Sequence, residues 1–371
     1  MRSTLDKLTA ELAVLNTLVE SIKPVNLALE DHKDTLVQQY ISIRKRFDYA
    51  AFVVALYASF EDFIEELVVV YAQLESRRLR YTELPQKLTK KHLSQTAEML
   101  SRGRIGQERY VGLTELGVVK NLFECLNDAR PYTLNKAAVA AHDNNLRASE
   151  IDTLFAVVGI EQMCSHARQA DALIEWYRDV NGLAAVSQEG VPATIIKERI
   201  NDLVDRRNQI AHRGGTPVNL LGVYEMGEAI GFIKAFARSV FAIIVGRYLR
   251  DHHAGIQLVQ RQDEGPYKSG KVVIINPPAH RIFRGQPIFV LGETFGARWG
   301  RIQSLRIDDA DIQEMEANTN APNGVGVGLD FKCPRGADVN LVALQDDDDV
   351  VWSPLEPVAF QQLQCANSRI R

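Results

Sequence analysis

The hydrophobic pattern of this chain changes its period once, near residue 255, and that change limits the folds open to it. Before this point apolar residues recur at three- and four-residue spacing, as in Leu5, Leu8, Leu12, Leu15 and Leu18, and again in Phe52, Leu56, Phe60, Phe63, Leu67 and Val70. Such spacing marks helices with one buried face. Further helical stretches are NLFECLNDAR, a long segment from Ser149 broken near Gly159, PATIIKERINDLVDRRNQIAHRGG, and EMGEAIGFIKAFARSVFAIIVGRYLRDH. Pro192 suits a helix start, and Gly214-Gly215 followed by Pro217 is a strong stop. Beyond residue 255 the runs KVVIIN, QPIFVLG, RIQSLRI, GVGVGLDF and ADVNLVAL are short, β-rich and separated by Pro, Gly, Asn and Asp, the texture of a small all-β sandwich or barrel. The expected fold is therefore α+β in separate domains: an all-α helical bundle over residues 1–253 and an all-β domain over 254–371, joined between His253 and Lys271.

Charge narrows the function. With 43 Lys and Arg against 47 Asp and Glu, a formal charge of −4, the chain has no field able to coat duplex nucleic acid by phosphate neutralisation alone. Neither part stands out, with 31 basic and 32 acidic side chains up to residue 254 and 12 and 15 after it. One window departs from this balance: Arg77, Arg78, Arg80, Lys87, Lys90, Lys91, Arg102 and Arg104 face only Glu83 and Glu98, and with Tyr81 and His92 they are a candidate track for an RNA backbone or an ordinary charged helix surface. The N-terminal segment mixes charge with apolar residues and reads as a helix and not a signal peptide. No window approaches an uncharged membrane span, so neither a membrane partner nor a membrane location is expected. Cys125, Cys164, Cys333 and Cys365 lie far apart with no CxxC pair, which suits a reducing cytoplasm better than a zinc knuckle or disulfide framework.

The densest chemistry lies in Arg206-Arg207-Asn208-Gln209-Ile210-Ala211-His212-Arg213-Gly214-Gly215. Residues four apart share a helix face, which places Asn208 under His212, where its amide can fix one imidazole tautomer. The long Arg207 side chain can swing to the same place. At the glycine stop His212 stands in the last helical turn, where the carbonyl end favours an imidazolium and so suits proton transfer near neutral pH. A guanidinium beside it offers bidentate contacts to phosphate oxygens and stabilises charge building on a phosphorane. Imidazole plus guanidinium is sufficient equipment for RNA cleavage in which the ribose 2′-OH attacks its own phosphate, with no metal or cofactor. A solvated Arg-Arg-Asn run with a C-capping His is the alternative on spacing alone.

The Arg-Asn-x-Ile-Ala-His string at the end of a long helix resembles the RxxxxH signature of the HEPN superfamily. AAFVVALYASFEDFIEELV resembles that family's early helix with an aromatic-Glu pair, here Phe60-Glu61, and NNLRASEIDTLFAVVGIE resembles the connecting segment of large bacterial HEPN domains associated with defence loci. The resemblance spans most of residues 40–250. It implies a metal-independent endoribonuclease of toxin or antiviral type, active as a homodimer with the two motifs facing each other, in which Arg207, Asn208 and His212 are catalytic. Arg206, Arg213 and Glu61 would contact RNA or orient the motif. The β domain would then receive an antitoxin or a phage-derived trigger. Members without an intact signature are nucleotide- or partner-binding modules, and that non-catalytic reading stands as the alternative.

Three remaining features carry less. His252-His253 has no carboxylate or Cys at ligand spacing and reads as a helix end. Asp346 to Asp349 reads as a solvated turn before Val350-Val351-Trp352 more readily than as a cation site. GVGVG at 324–328 lacks the strand-then-helix setting of a phosphate loop and reads as a glycine-bearing strand or a hairpin.

Overall fold

A computed structural model describes residues 1–343 apart from 104, 108–109, 143, 188, 214–218, 253–255, 262–264, 293–295, 309 and 335–339; residues 212, 213, 252, 292, 296 and 340–343 are described by backbone alone. The Asp346–Asp349 run, Cys365, Arg104, His253 and the Gly214-Gly215 stop lie outside the described residues.

The helical part runs α1 (Arg2–Glu30), α2 (Thr35–Arg78), α3 (Gln86–Ser101), α4 (Glu115–Leu126), α5 (Lys136–Ala140), α6 (Ala148–Val157), α7 (Met163–Ala167), α8 (Asp171–Val180), α9 (Ala193–Arg213) and α10 (Val223–His252). Its axis is α2, which at 44 residues extends over about 66 Å. Asp34 caps it, its carboxylate accepting from the Leu36 amide at 2.8 Å, which satisfies one of the donors a helix start leaves unpaired. Phe52, Leu56, Phe60, Phe63, Ile64 and Leu67 are each at most 1% exposed. Phe60 meets Phe236 edge-on at 6.0 Å, and Phe232 in turn receives Trp176 at 5.1 Å. The expected stripes are displaced slightly: Val19 is buried in place of Leu18, and Tyr71 in place of the half-buried Val70, because each stripe continues four residues on, from Leu15 to Val19 and from Leu67 to Tyr71. The helix break expected near Gly159 is real, and Gly159 takes a φ of +81° that a side chain would resist.

Two helices, α1 and α10, are long and apolar enough to cross a membrane by length and composition, contrary to the sequence expectation that no segment comes close. In α10 the apolar window is 72% buried against protein, as expected of a core helix with neighbours on most sides; in α1 it is 17% buried.

The second unit contains β1 (Ile256–Leu258), β2 (Val272–Ile275), β3 (Ile282–Phe283), β4 (Pro287–Gly292), β5 (Gly296–Ile307), β6 (Ala310–Ile312), β7 (Glu314–Met315), β8 (Val325–Leu329) and β9 (Asn340–Ala343). The main sheet is antiparallel in the order β1-β9-β4-β5-β8-β2, with β6 on β5, and β3 pairs with β7. The long strand β5 pairs with β4 through Arg301 and with β8 from Ile302 onward, with a register shift between Ile302 and Ser304; such an irregularity lets one strand bend into two partners. Alternate residues Val273, Ile275, Ile288, Val290, Val325 and Val327 form the core. GVGVG is thus a strand. A Cβ at Gly328 would lie 2.2 Å from the Ser304 hydroxyl oxygen, which explains a glycine on that face. The compact units divide inside α10, at Arg238, with the strands and the end of α10 in the second unit.

Candidate functional site

The site is built where α9 lies along α2, with the turn between α5 and α6 closing one side. Arg207 extends over the ring of Tyr57, its guanidinium carbon 5.3 Å from the ring centre. It also donates to Asn208 Oδ1 at 3.3 Å. The ring face attracts the cation and helps hold its position, and a guanidinium so held presents N–H donors suited to an anion. Asn208 Oδ1 receives a second hydrogen bond from Asn145 Nδ2 at 3.0 Å. With its oxygen accepting twice, the group Asn208 has to offer a neighbour one turn along is its NH2. His212 and Arg213 occupy the last turn of α9, while their side chains lie outside the described residues.

Tyr57 connects this cluster to α2. It is 2% exposed, donates its hydroxyl to Glu61 Oε1 at 2.7 Å and accepts from the Leu146 amide at 3.0 Å. Burial, and then the Glu61 carboxylate, hold its phenol well above the ordinary tyrosine value, so it is a neutral donor throughout the physiological range. Of the Phe60-Glu61 pair, Phe60 belongs to the core, and Glu61 accepts from Tyr57, one helical turn back on the same face. A second carboxylate, Glu65, sits a turn further on and meets His142 Nε2 at 2.7 Å. A carboxylate oxygen of Glu61, one of Glu65 and a ring nitrogen of His142 lie within 4.8 Å of one another.

Arg206 is placed differently from its neighbour. Its guanidinium bonds Asp202 at 2.7 Å, the Tyr49 hydroxyl at 2.9 Å and the Asn219 carbonyl at 2.9 Å, so three of its five N–H donors are committed within the protein. The basic window from Arg77 also reads differently in three dimensions. His92 is fully buried, with Nε2 accepting from the Asn135 amide at 2.9 Å and Nδ1 beside the Tyr81 hydroxyl at 3.1 Å; burial pushes its pKa down to about 4. Tyr81 is 5% exposed. Both belong to the packing of α3 and are unable to touch RNA. Lys87 pairs with Glu161, Arg80 with Glu83 and Arg102 with Glu98. Charged helix surface is the better description.

Sequence reasoning missed Tyr57, Glu65, His142 and Asn145. A Tyr-x-x-x-Glu pair at i, i+4 was a signal for the first; Asn145 and His142 come from a turn whose approach to α9 no local pattern encodes.

No curated protein matches the sequence at a significant level. A family model described as RiboL-PSP-HEPN matches residues 21–246, from within α1 to near the end of α10 and more than half of the chain. HEPN domains are commonly ribonucleases, and others bind nucleotides. The matched span contains α2, α9 and every residue of the Arg207–Asn208–Tyr57 cluster, and the chain belongs to the RiboL-PSP-HEPN family.

Proposed function

We propose that the chain is a metal-independent endoribonuclease acting on single-stranded RNA, and that Arg207, Asn208 and His212 are its catalytic residues. The observation that carries this reading is the contrast between adjacent arginines: Arg206 gives three N–H bonds to Asp202, Tyr49 and Asn219, whereas Arg207 lies over the Tyr57 ring and, among the described residues, hydrogen-bonds Asn208 alone. In the reaction His212 takes the proton of a ribose 2′-OH. The 2′-oxygen attacks the adjacent phosphorus, and the 5′-oxygen leaves with a proton drawn from water, giving a 2′,3′-cyclic phosphate and a 5′-hydroxyl, after which His212 returns the proton it took to solvent. Arg207 stabilises the charge that builds on the non-bridging oxygens. The Asn208 NH2 is left to donate to a phosphate oxygen of the substrate, because donating to the unprotonated imidazole nitrogen would occupy the atom that takes the proton.

Two copies acting together fit the surface of α2. Leu36, Tyr40, Ile43 and Phe47 recur at four-three-four spacing and are 72, 50, 50 and 70% exposed, an apolar stripe of the kind that pairs helices across a dimer. A role as a toxin or defence effector, with the β domain receiving an antitoxin or phage-derived trigger, follows from the family resemblance.

A specific cavity favours the second reading, a nucleotide-binding module. About 280 Å³ opens between α2, α9 and α10, lined by Phe52, Leu56, Phe232, Arg199, Arg206 and Glu228 among others, room for a nucleobase between aromatic and charged groups. The purified chain incubated with single-stranded RNA in EDTA tests the choice. Fragments ending in cyclic phosphate, lost in Arg207→Ala and His212→Ala, support the enzyme; intact RNA with saturable ATP or GTP binding by calorimetry supports the module.

A further inference from the structure

His142 stands just after α5 with its side chain only 7% exposed. Its Nδ1 lies 2.6 Å from the Asn144 carbonyl oxygen and its Nε2 lies 2.7 Å from Glu65 Oε1. A carbonyl and a carboxylate are both acceptors, so both ring nitrogens carry a proton and the ring is an imidazolium. Were the second proton drawn as resting on Glu65, the charge of the pair would be the same. Glu61 is the third member of this cluster. The proton on His142 therefore reduces two neighbouring carboxylate charges to one, directly behind the Tyr57 hydroxyl that carries Arg207 on its ring.

The same ring pins a turn. By donating to the Asn144 carbonyl, His142 holds the backbone that presents Asn145 to Asn208 and the Leu146 amide to Tyr57. Beyond it Arg147 pairs with Asp205 of α9, closing the turn onto the helix that bears the motif. Among the described residues, the charged and titratable groups joined to His142 through this network are thus Glu61, Glu65 and Tyr57 from α2, Arg207 and Asp205 from α9, and Arg147 from the turn itself.

We propose that His142 is a positioning residue: as an imidazolium it offsets the Glu61–Glu65 pair and fixes the 144–146 turn, so that Arg207 stays on Tyr57 and Asn208 with its outer edge open to the scissile phosphate. Without that charge the two carboxylates draw Arg207 inward, where it pairs with Glu61 in competition with phosphate, and they repel the incoming strand. The bond from Glu65 raises the His142 pKa above the usual histidine value against the opposing effect of burial, with the Asn144 carbonyl and Glu61 adding to it. The arrangement accordingly holds below that higher value and is lost as pH rises through it.

The consequence for cleavage rests on the ribonuclease reading; the position of Arg207 does not. Two measurements keep them apart. In an NMR titration of the full chain, the His142 ring signals should move with a midpoint above that of an ordinary histidine, and the Arg207 Nε–H signal should follow the same midpoint. In the Glu61→Gln, Glu65→Gln double variant the Arg207 signal should stop responding. A His142 midpoint at or below 6.5, or an Arg207 signal indifferent to it, overturns the inference whether or not the chain cuts RNA. With a fluorescein-labelled single-stranded RNA oligonucleotide, His142→Ala should raise KM about tenfold with less than a threefold change in kcat, and adding Glu65→Gln should recover most of the loss. A residue that only supports the fold would lower kcat and raise KM together, with no recovery from the second substitution, and that result also overturns the proposal. A wild-type chain inert toward RNA would refute the ribonuclease reading and leave the titration to decide this one.

Discussion

Replacing Tyr57 with Phe removes one oxygen and tests the connection between the two helices of the site. The hydroxyl accepts from the Leu146 amide at 3.0 Å and donates to Glu61 at 2.7 Å, and Leu146 is fully buried. Its N–H would lose its acceptor, at about 1 to 3 kcal/mol for an unsatisfied buried donor. Glu61 is half-buried and recovers part of its lost bond from water, so the total should be about 2 to 3 kcal/mol. For a domain of this size each kcal/mol lowers Tm by roughly 2 to 4 °C, giving a fall of roughly 4 to 12 °C in a calorimetric scan. The ring remains, so Arg207 keeps its stacking partner, but Glu61 is released to pair with it. RNA cleavage measured well below the new Tm should therefore drop about tenfold, mostly through KM. A variant with unchanged Tm and unchanged cleavage would show that the Tyr57 hydroxyl bridges nothing, and the account of Glu61 would fall with it.

Other expectations follow from the same geometry. Because His92 is buried with its pKa at about 4 against an ordinary 6.5, the unfolded chain takes up a proton that the folded chain refuses as pH falls between these values. Stability should decline by up to about 3 kcal/mol over that window and level off below it; a urea series from pH 7 to 4 in which His92→Asn shows the same slope would contradict this. Arg206→Ala should cost about 2 kcal/mol by breaking its bonds to Asp202, Tyr49 and Asn219, and at low temperature should cut RNA far better than Arg207→Ala; equal loss in both would give Arg206 a direct role. In the β domain, a Cβ at Gly300 would meet Asp330 Oδ1 at 1.8 Å and Phe331 Cδ1 at 2.5 Å, whereas at Gly326 the nearest atom is 3.6 Å away. Gly300→Ala should destabilise by about 1 to 3 kcal/mol and Gly326→Ala by well under 1, and reversal of that order in urea melts would refute the β5 packing.

The architecture was legible because it is written in periods. Helical spacing in Phe52, Leu56, Phe60 and Phe63 and alternation in Val325 and Val327 both match the observed core, since burial of one face imposes the repeat directly. The motif on α9 was legible for a similar reason, as residues close in sequence stay close on a helix. What joins α9 to α2 was not. The bonds Tyr57–Leu146 and Asn145–Asn208 span 89 and 63 residues, and nothing local in a tyrosine or an asparagine announces its distant partner. The opposite error arose from Tyr81 and His92: a polar residue in a basic stretch looks exposed until a long-range amide such as that of Asn135 satisfies it in the core. Adjacent Arg206 and Arg207 look alike in sequence and differ wholly in the fold, because about 100° of helix separates a side chain tied down by Asp202 and Tyr49 from one laid over Tyr57.

The central claim is that the Arg207–Asn208–His212 helix end cleaves RNA through the substrate's own 2′-oxygen. Its most direct test compares one RNA oligonucleotide with the same oligonucleotide carrying a single 2′-deoxy nucleotide at the cleavage position, both incubated with the purified chain in EDTA. The account predicts a cyclic phosphate and a 5′-hydroxyl from the first and no cut at that position in the second. Cleavage of the 2′-deoxy strand at the same bond, or dependence of the cut on an added divalent metal, would contradict it.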